Sequence, residues 1–192
     1  MRLILGSGSA RRLDLLAQIG VVPEEVCAAD IDEAPLKGEV PRVYVERMAR
    51  EKSQAIETKD LLLTADTVVS IGRRILGKPA DAAEAAAFLL QLSGRRHRVT
   101  TSICLRHGET MRQRTVETRV KVKRISDAEI SAYLRSNEWQ DKAGGYAIQG
   151  IGAAFIPEII GSYTSVVGLP LTETAGLLTG LGYPVSFEGE PA

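Results

Sequence analysis

LILGSGSARRLDLL, residues 3–16, sets a buried strand, a glycine-serine loop and a helix in immediate succession. Leu3, Ile4 and Leu5 end at Gly6, and Arg11-Arg12 open the helical stretch that Gly20 stops. Two arginines oppose the macrodipole, which places positive charge at a helix N-terminus. An anion held between loop amides, helix start and guanidinium groups reverses that sign. The alternative is that both side chains turn to solvent or pair with carboxylates such as Asp14. The stretch also imitates the dinucleotide motif GxGxxG, but Arg11 stands where the third glycine would let helix and strand pack closely.

Outward from there, strands and helices alternate. Helices are expected over 10–19, from Pro41 to about Glu57, from Asp81 to near Gly94, from Ser126, and over about Thr172 to Thr179. Asp81 with Glu84 and Ser126 with Glu129 have capping-box spacing. LLLTADTVVSI, residues 61–71, is a strand long enough that a bend or bulge is expected near Asp66. Residues 97–106 and 112–123 form a hairpin around His107-Gly108, and AAFIPEII, residues 153–160, reads as a further strand. Val116, Thr118, Val120 and Val122 alternate with Glu117, Arg119, Lys121 and Lys123, the pattern of a sheet with one solvated face. Because the hairpin is antiparallel, the class is α/β with a mixed sheet flanked by helices. With no linker or low-complexity tract, residues 1–192 read as a single domain.

Lys+Arg 24 balance Asp+Glu 24 and no basic block occurs, which speaks against polymeric nucleic acid or anionic membrane as partner. Cys27 and Cys104 make no metal or disulfide pattern with His97 and His107. Only a three-residue apolar run, Leu3 to Leu5, precedes Gly6, too short for a signal segment, so a cytoplasmic protein is expected. GRRILGKP, residues 72–79, has the spacing of a Walker loop, yet Pro79 replaces the metal-binding Ser or Thr. Lys78 stays a candidate on its own.

Two charges stand where local pattern calls for apolar residues. Val45, Met48, Ala49 and Ile56 form a helical stripe whose missing member is Lys52. Asp66 lies within the apolar strand, and a buried carboxylate needs a cation, a metal or a raised pKa. Lys52 could instead snorkel outward, and Asp66 could face solvent at a bend. Both together point to a lined pocket for an anion and a metal.

GSGSARRLDLL, ADIDE, YVERMAREKSQA, TADTVV, GKPAD, LSGRRHRV, DKAGGYAIQG and GSYTSVVGLPLTET run in order within about Leu3 to Leu178. In these stretches the chain resembles the Maf family of nucleoside triphosphate pyrophosphatases. The resemblance implies an elongated inosine-triphosphatase-like fold with a cleft between two lobes, often as a homodimer. It implies hydrolysis of a nucleoside triphosphate to monophosphate and pyrophosphate with a divalent cation, Mg2+ or Mn2+. By the same resemblance, Ser7, Arg11 and Arg12 hold the triphosphate, and Lys52 and Lys78 reach its phosphates. Glu33 and Asp66 serve metal and water, with Asp66 the catalytic acid-base residue, and Gln149 lies near the base. Arg11, Thr67 and Gln149 match the branch acting on dTTP and UTP; the branch acting on 7-methyl-GTP carries Trp, Gln and Glu there. The rival readings are a 7-methyl-GTP pyrophosphatase and a non-catalytic nucleotide-binding regulator of cell division. Ala10 replaces the family's usual proline, Gly6 its usual alanine, and KAGGYAIQG shifts a glycine.

Overall fold

The computed structural model describes residues 1–187; positions 188–192 of the expected domain span lie outside the described residues. Strand β1 (Leu3–Gly6) leads through the glycine loop into helix α1 (Ala10–Ala17), and β2 (Glu25–Val26) follows. After an acidic loop, residues 27–40 with Asp30, Asp32, Glu33 and Glu39, come α2 (Pro41–Ala55) and the long β3 (Leu61–Ile71), which turns back at Gly72 into β4 (Arg74–Leu76). Helix α3 (Ala82–Leu92) precedes the hairpin of β5 (Arg96–His107) and β6 (Thr110–Lys121). Then α4 (Asp127–Arg135), β7 (Glu158–Ile160), α5 (Tyr163–Val167) and α6 (Leu171–Gly180) complete the described chain.

One mixed sheet has the order β2-β1-β3-β5-β6-β7, with β4 on the far half of β3. Pairing is parallel at β1 with β2 and with β3, and antiparallel elsewhere. This is the expected α/β class with its antiparallel hairpin.

Strand β3 organises the molecule. Residues 61–64 pair with β1 and residues 69–71 with β4, so 65–68 have a neighbour only on the β5 side. Asp66 and Thr67 sit at that gap. The bulge expected at Asp66 is absent: the register with β5 runs unbroken from Leu62 to Ser70. The strand tolerates the carboxylate by changing partners around it. Alternation then divides the two faces. Leu63, Ala65 and Val69 enter the main core beneath α1 and α3, while Val68 packs with Tyr44, Val45 and Met48 of α2.

Gly6 lets β1 approach β3 closely: a Cβ there would stand 2.6 Å from Thr64 Cγ2 and 2.9 Å from Ile56 Cδ1, so the alanine usual in the family needs those side chains to shift. Both caps form as spaced, Asp81 accepting from Glu84 N and Ser126 completing the full box with Glu129. Residues 153–160 correct the expectation of one strand. A 3-10 turn takes Ile151–Phe155, because the Glu138 carboxylate accepts from Ile151 N and Gly152 N and holds that backbone curled. Only Glu158–Ile160 joins the sheet, past Pro157. The short β2, β4 and α5 carry too few residues for periodicity to reveal them.

Candidate active site

The loop between β1 and α1 is closed by Arg12. Its Nε donates to Gly168 O (2.9 Å), its Nη1 to Ser7 Oγ (2.7 Å) and its Nη2 to Thr67 Oγ1 (3.4 Å). One guanidinium thereby ties the glycine loop, β3 and the segment after α5. Thr101 Oγ1 gives its hydrogen to Ser165 O, so in the Thr67–Thr101 contact (2.9 Å) Thr67 is the donor and its lone pairs face Arg12. No side chain caps the first turn of α1 and no acid lies in it, which leaves that end open to an anion. Arg11 has a buried Nε with no hydrogen-bond partner in the structure. Burial lowers its pKa, opposed by the Asp141 carboxylate.

Beside this loop lies the pair of misplaced charges. Lys52 does not escape to solvent; its side chain is 12% exposed and its Nζ lies 2.7 Å from Asp66 Oδ1 and 2.8 Å from Glu33 Oε1. Asp66 is buried, and burial raises its pKa against the opposing pull of Lys52 and Arg12. Such a carboxylate is more basic than an exposed one, with its two cations pulling the other way. Glu33 is half exposed, and its carbonyl accepts from the Tyr44 hydroxyl at 2.9 Å.

The opposite wall comes from the segment after β4 and from residues 141–149. Gly144 N donates to Gly77 O (2.9 Å), and at φ +72° a Cβ on Gly144 would stand 2.8 Å from Val69 Cγ1. That close approach fixes the loop against β3. Farther along, Tyr146 Oη lies 2.7 Å from His97 Nε2, and Ala147 N donates to Tyr133 Oη. Burial pushes the His97 pKa down to about 4, so this internal bond is made by a neutral imidazole.

These walls enclose a cleft of about 780 Å³. Ser7, Arg11, Arg12, Glu33, Lys52, Asp66, Thr67, Lys78 and Gln149 all line it, so every candidate read from the sequence meets in one place. Lys78 and Gln149 are exposed on its rim, within reach of a ligand. The lining residues given no role from the sequence include Tyr44, Asp141 and Lys142. Tyr44 stands one position before the apolar stripe that begins at Val45, and Asp141-Lys142 open the DKAGGYAIQG stretch, whose match to the family assigned a role only to Gln149. Among the described residues no group of three His, Cys, Asp or Glu side chains is arranged to hold a metal. Glu33 and Asp66 do offer two hard carboxylates sharing one ammonium, which fits a divalent cation completed by phosphate oxygens and water.

Comparison with known proteins gives the same outline. A protein of Ruegeria sp. (strain TM1040) named dTTP/UTP pyrophosphatase is 58% identical over 187 residues, covering 96% of this chain and 97% of its own length. One of Roseobacter denitrificans with the same name is 60% identical over 182 residues, covering 94% and 97%. A third, from Rhodopseudomonas palustris (strain HaA2), is 50% identical over 196 residues, covering 97% and 95%. The family model described as Maf-like protein matches residues 2–181. Since that span takes in every strand and helix among the described residues and the whole lining of the cleft, the chain belongs to the Maf family.

Proposed function

We propose that the cleft hydrolyses dTTP and UTP to the monophosphate and pyrophosphate. The observation that carries this reading is Lys52 clamped between Asp66 and Glu33 in a cleft that Arg11 and Lys78 also line. The names of relatives at 50–60% identity support the same substrates.

Water attacks the α-phosphorus, the bond to the bridging oxygen breaks, and the electron pair leaves on pyrophosphate. Asp66, kept basic by burial, takes the proton of the attacking water. Lys52 orients Asp66 and offers its charge to the phosphate as negative charge develops. Arg12 holds Ser7 and Thr67 in place, and Arg11 and Lys78 engage the remaining phosphates. A divalent cation, Mg2+ or Mn2+, held by Glu33 and Asp66, would supply Lewis-acid charge neutralisation. At the rim, the Gln149 amide offers a donor and an acceptor to the carbonyl and N–H edge of uracil or thymine. The reading includes a cytoplasmic homodimer acting on free nucleotides, without nucleic-acid polymers as partners. No helix among the described residues is long and apolar enough to cross a membrane.

The test is a panel of dTTP, UTP, CTP, ATP, GTP and 7-methyl-GTP at equal low concentrations with magnesium or manganese. Pyrophosphate release with dTTP and UTP preferred is expected. Orthophosphate as first product, no turnover, or preference for 7-methyl-GTP overturns the assignment.

A further inference from the structure

The charges of the cleft fall into two groups. Asp66, Glu33, Lys52 and Arg12 form one, with two carboxylates to two cations. Lys78, Lys142 and Arg11 form the other, with Asp141 and Glu138 as the acids near them. The backbone bond from Gly144 N to Gly77 O brings the two lysines together, since Lys78 follows Gly77 directly and Lys142 precedes Gly144 by two positions. Gly145 N donates to Lys142 O (2.9 Å), which fixes the backbone that carries this ammonium.

Lys142 Nζ donates to Gln140 O (3.0 Å), a local bond that leaves further donors for a ligand. Its ammonium is disfavoured by burial, and by Arg11 and Lys78 in turn, with Asp141 and Glu138 opposing. Three cations gathered against two carboxylates on a partly buried surface are stabilised by a polyanion more than by solvent.

We propose that Lys142, with Lys78 and Arg11, grips the two phosphates that depart as pyrophosphate, while the Asp66 group works on the α-phosphorus. This rests on the pyrophosphatase reading above. As the bond from the α-phosphorus breaks, its electron pair settles on the departing oxygen, and the Lys142 ammonium stabilises that charge.

The full chain and its Lys142→Met and Lys142→Arg variants test this, by calorimetric titration with inorganic pyrophosphate and with UMP, and by UTP turnover. Thermal melting of each variant accompanies them. In Lys142→Met, pyrophosphate affinity and kcat/KM for UTP are expected to fall about 10-fold or more, the scale of one charge-assisted contact. UMP affinity is expected to hold within about twofold, and Lys142→Arg to recover most of the loss. Equal weakening of UMP and pyrophosphate, unchanged pyrophosphate affinity, or no pyrophosphate binding by the parent chain overturns the role. An unfolded Lys142→Met shifts the decision to Lys142→Gln, where normal melting with pyrophosphate weakened about 10-fold and UMP held supports the role, and unchanged pyrophosphate affinity overturns it. A parent chain that releases pyrophosphate while Lys142→Met is unimpaired refutes Lys142 alone; a parent that releases none refutes the reaction itself.

Discussion

Helix α2 carries two cations that each hold two carboxylates, and they do opposite things. Arg47 meets Glu39 with Nε at 2.7 Å and Nη2 at 2.8 Å, Glu51 with Nη1 at 3.0 Å, and Ala34 O with Nη2 at 3.1 Å. Its planar fork is nearly saturated by protein. The Glu39 pKa is drawn down to about 2, first through that hydrogen bonding. Lys52 reaches Asp66 and Glu33 as a point charge, yet the pKa of Asp66 goes up because burial outweighs its cations. The first cluster straps the acidic loop to the helix. The second keeps a carboxylate and an ammonium under tension beside an open cleft, which is what a site of chemistry needs.

The hardest blow to this contrast falls on the carboxylate. Asp66→Asn removes the proton acceptor and a metal ligand while keeping the shape, so turnover should fall by about 10²–10⁴. Lys52 keeps Glu33 as partner and the buried charge disappears, so melting should stay near the parent value. Pyrophosphate release and a thermal scan read both. Near-parental turnover would place Asp66 with the structural pairs.

Lys52→Met asks whether the ammonium serves structure as well. A methionine suits the stripe of Val45, Met48 and Ala49, but it leaves the buried Asp66 carboxylate without its nearest cation. Breaking a buried pair by removing one partner costs about 3–5 kcal/mol when the survivor stays charged. Asp66, already raised, can escape part of that by taking a proton. The sign follows from the raised folded-state pKa. The penalty is absent below the ordinary carboxylate value of 3.8 and complete once pH exceeds the folded value, so the variant should melt lower at pH 8 than at pH 5. Adding Asp66→Asn to Lys52→Met should restore melting but not turnover. A double variant as unstable as the single one would show that Lys52 acts through something other than Asp66.

How much of this was legible depends on whether a residue breaks a pattern. Lys52 interrupts a stripe of period 3.6 and Asp66 interrupts an apolar strand, so both declared themselves without coordinates. The hairpin showed in its alternation. Asp141 and Lys142 break nothing, because a polar loop has no period to violate. Arg12 was legible as a charge at a helix start, but its bond to Gly168 spans 156 positions and no local pattern encodes it. The segment 153–160 misled because Phe155 and the isoleucines are apolar, whereas the Glu138 carboxylate that curls their backbone lies far upstream.

The gentlest test turns to the strap. In Arg47→Lys the charge remains, but an ammonium cannot make the paired contacts to both Glu39 oxygens and still reach Glu51 and Ala34 O. The acidic loop should loosen, and Glu33 rides on that loop. Two other tethers persist, however: the Tyr44 hydroxyl on the Glu33 carbonyl and the Lys52 ammonium on its carboxylate. A loss on the order of 1 kcal/mol, or a few degrees of melting temperature, is therefore expected. Turnover should fall only about two- to fivefold, since an added rotamer freedom at Glu33 dilutes the productive arrangement without removing a group from it. Both are read on the same sample by a melt and a steady-state assay. A collapse of turnover comparable with that of Lys52→Met would mean that the two clusters of α2 are one machine, and that the acidic loop, not the buried carboxylate, sets the rate.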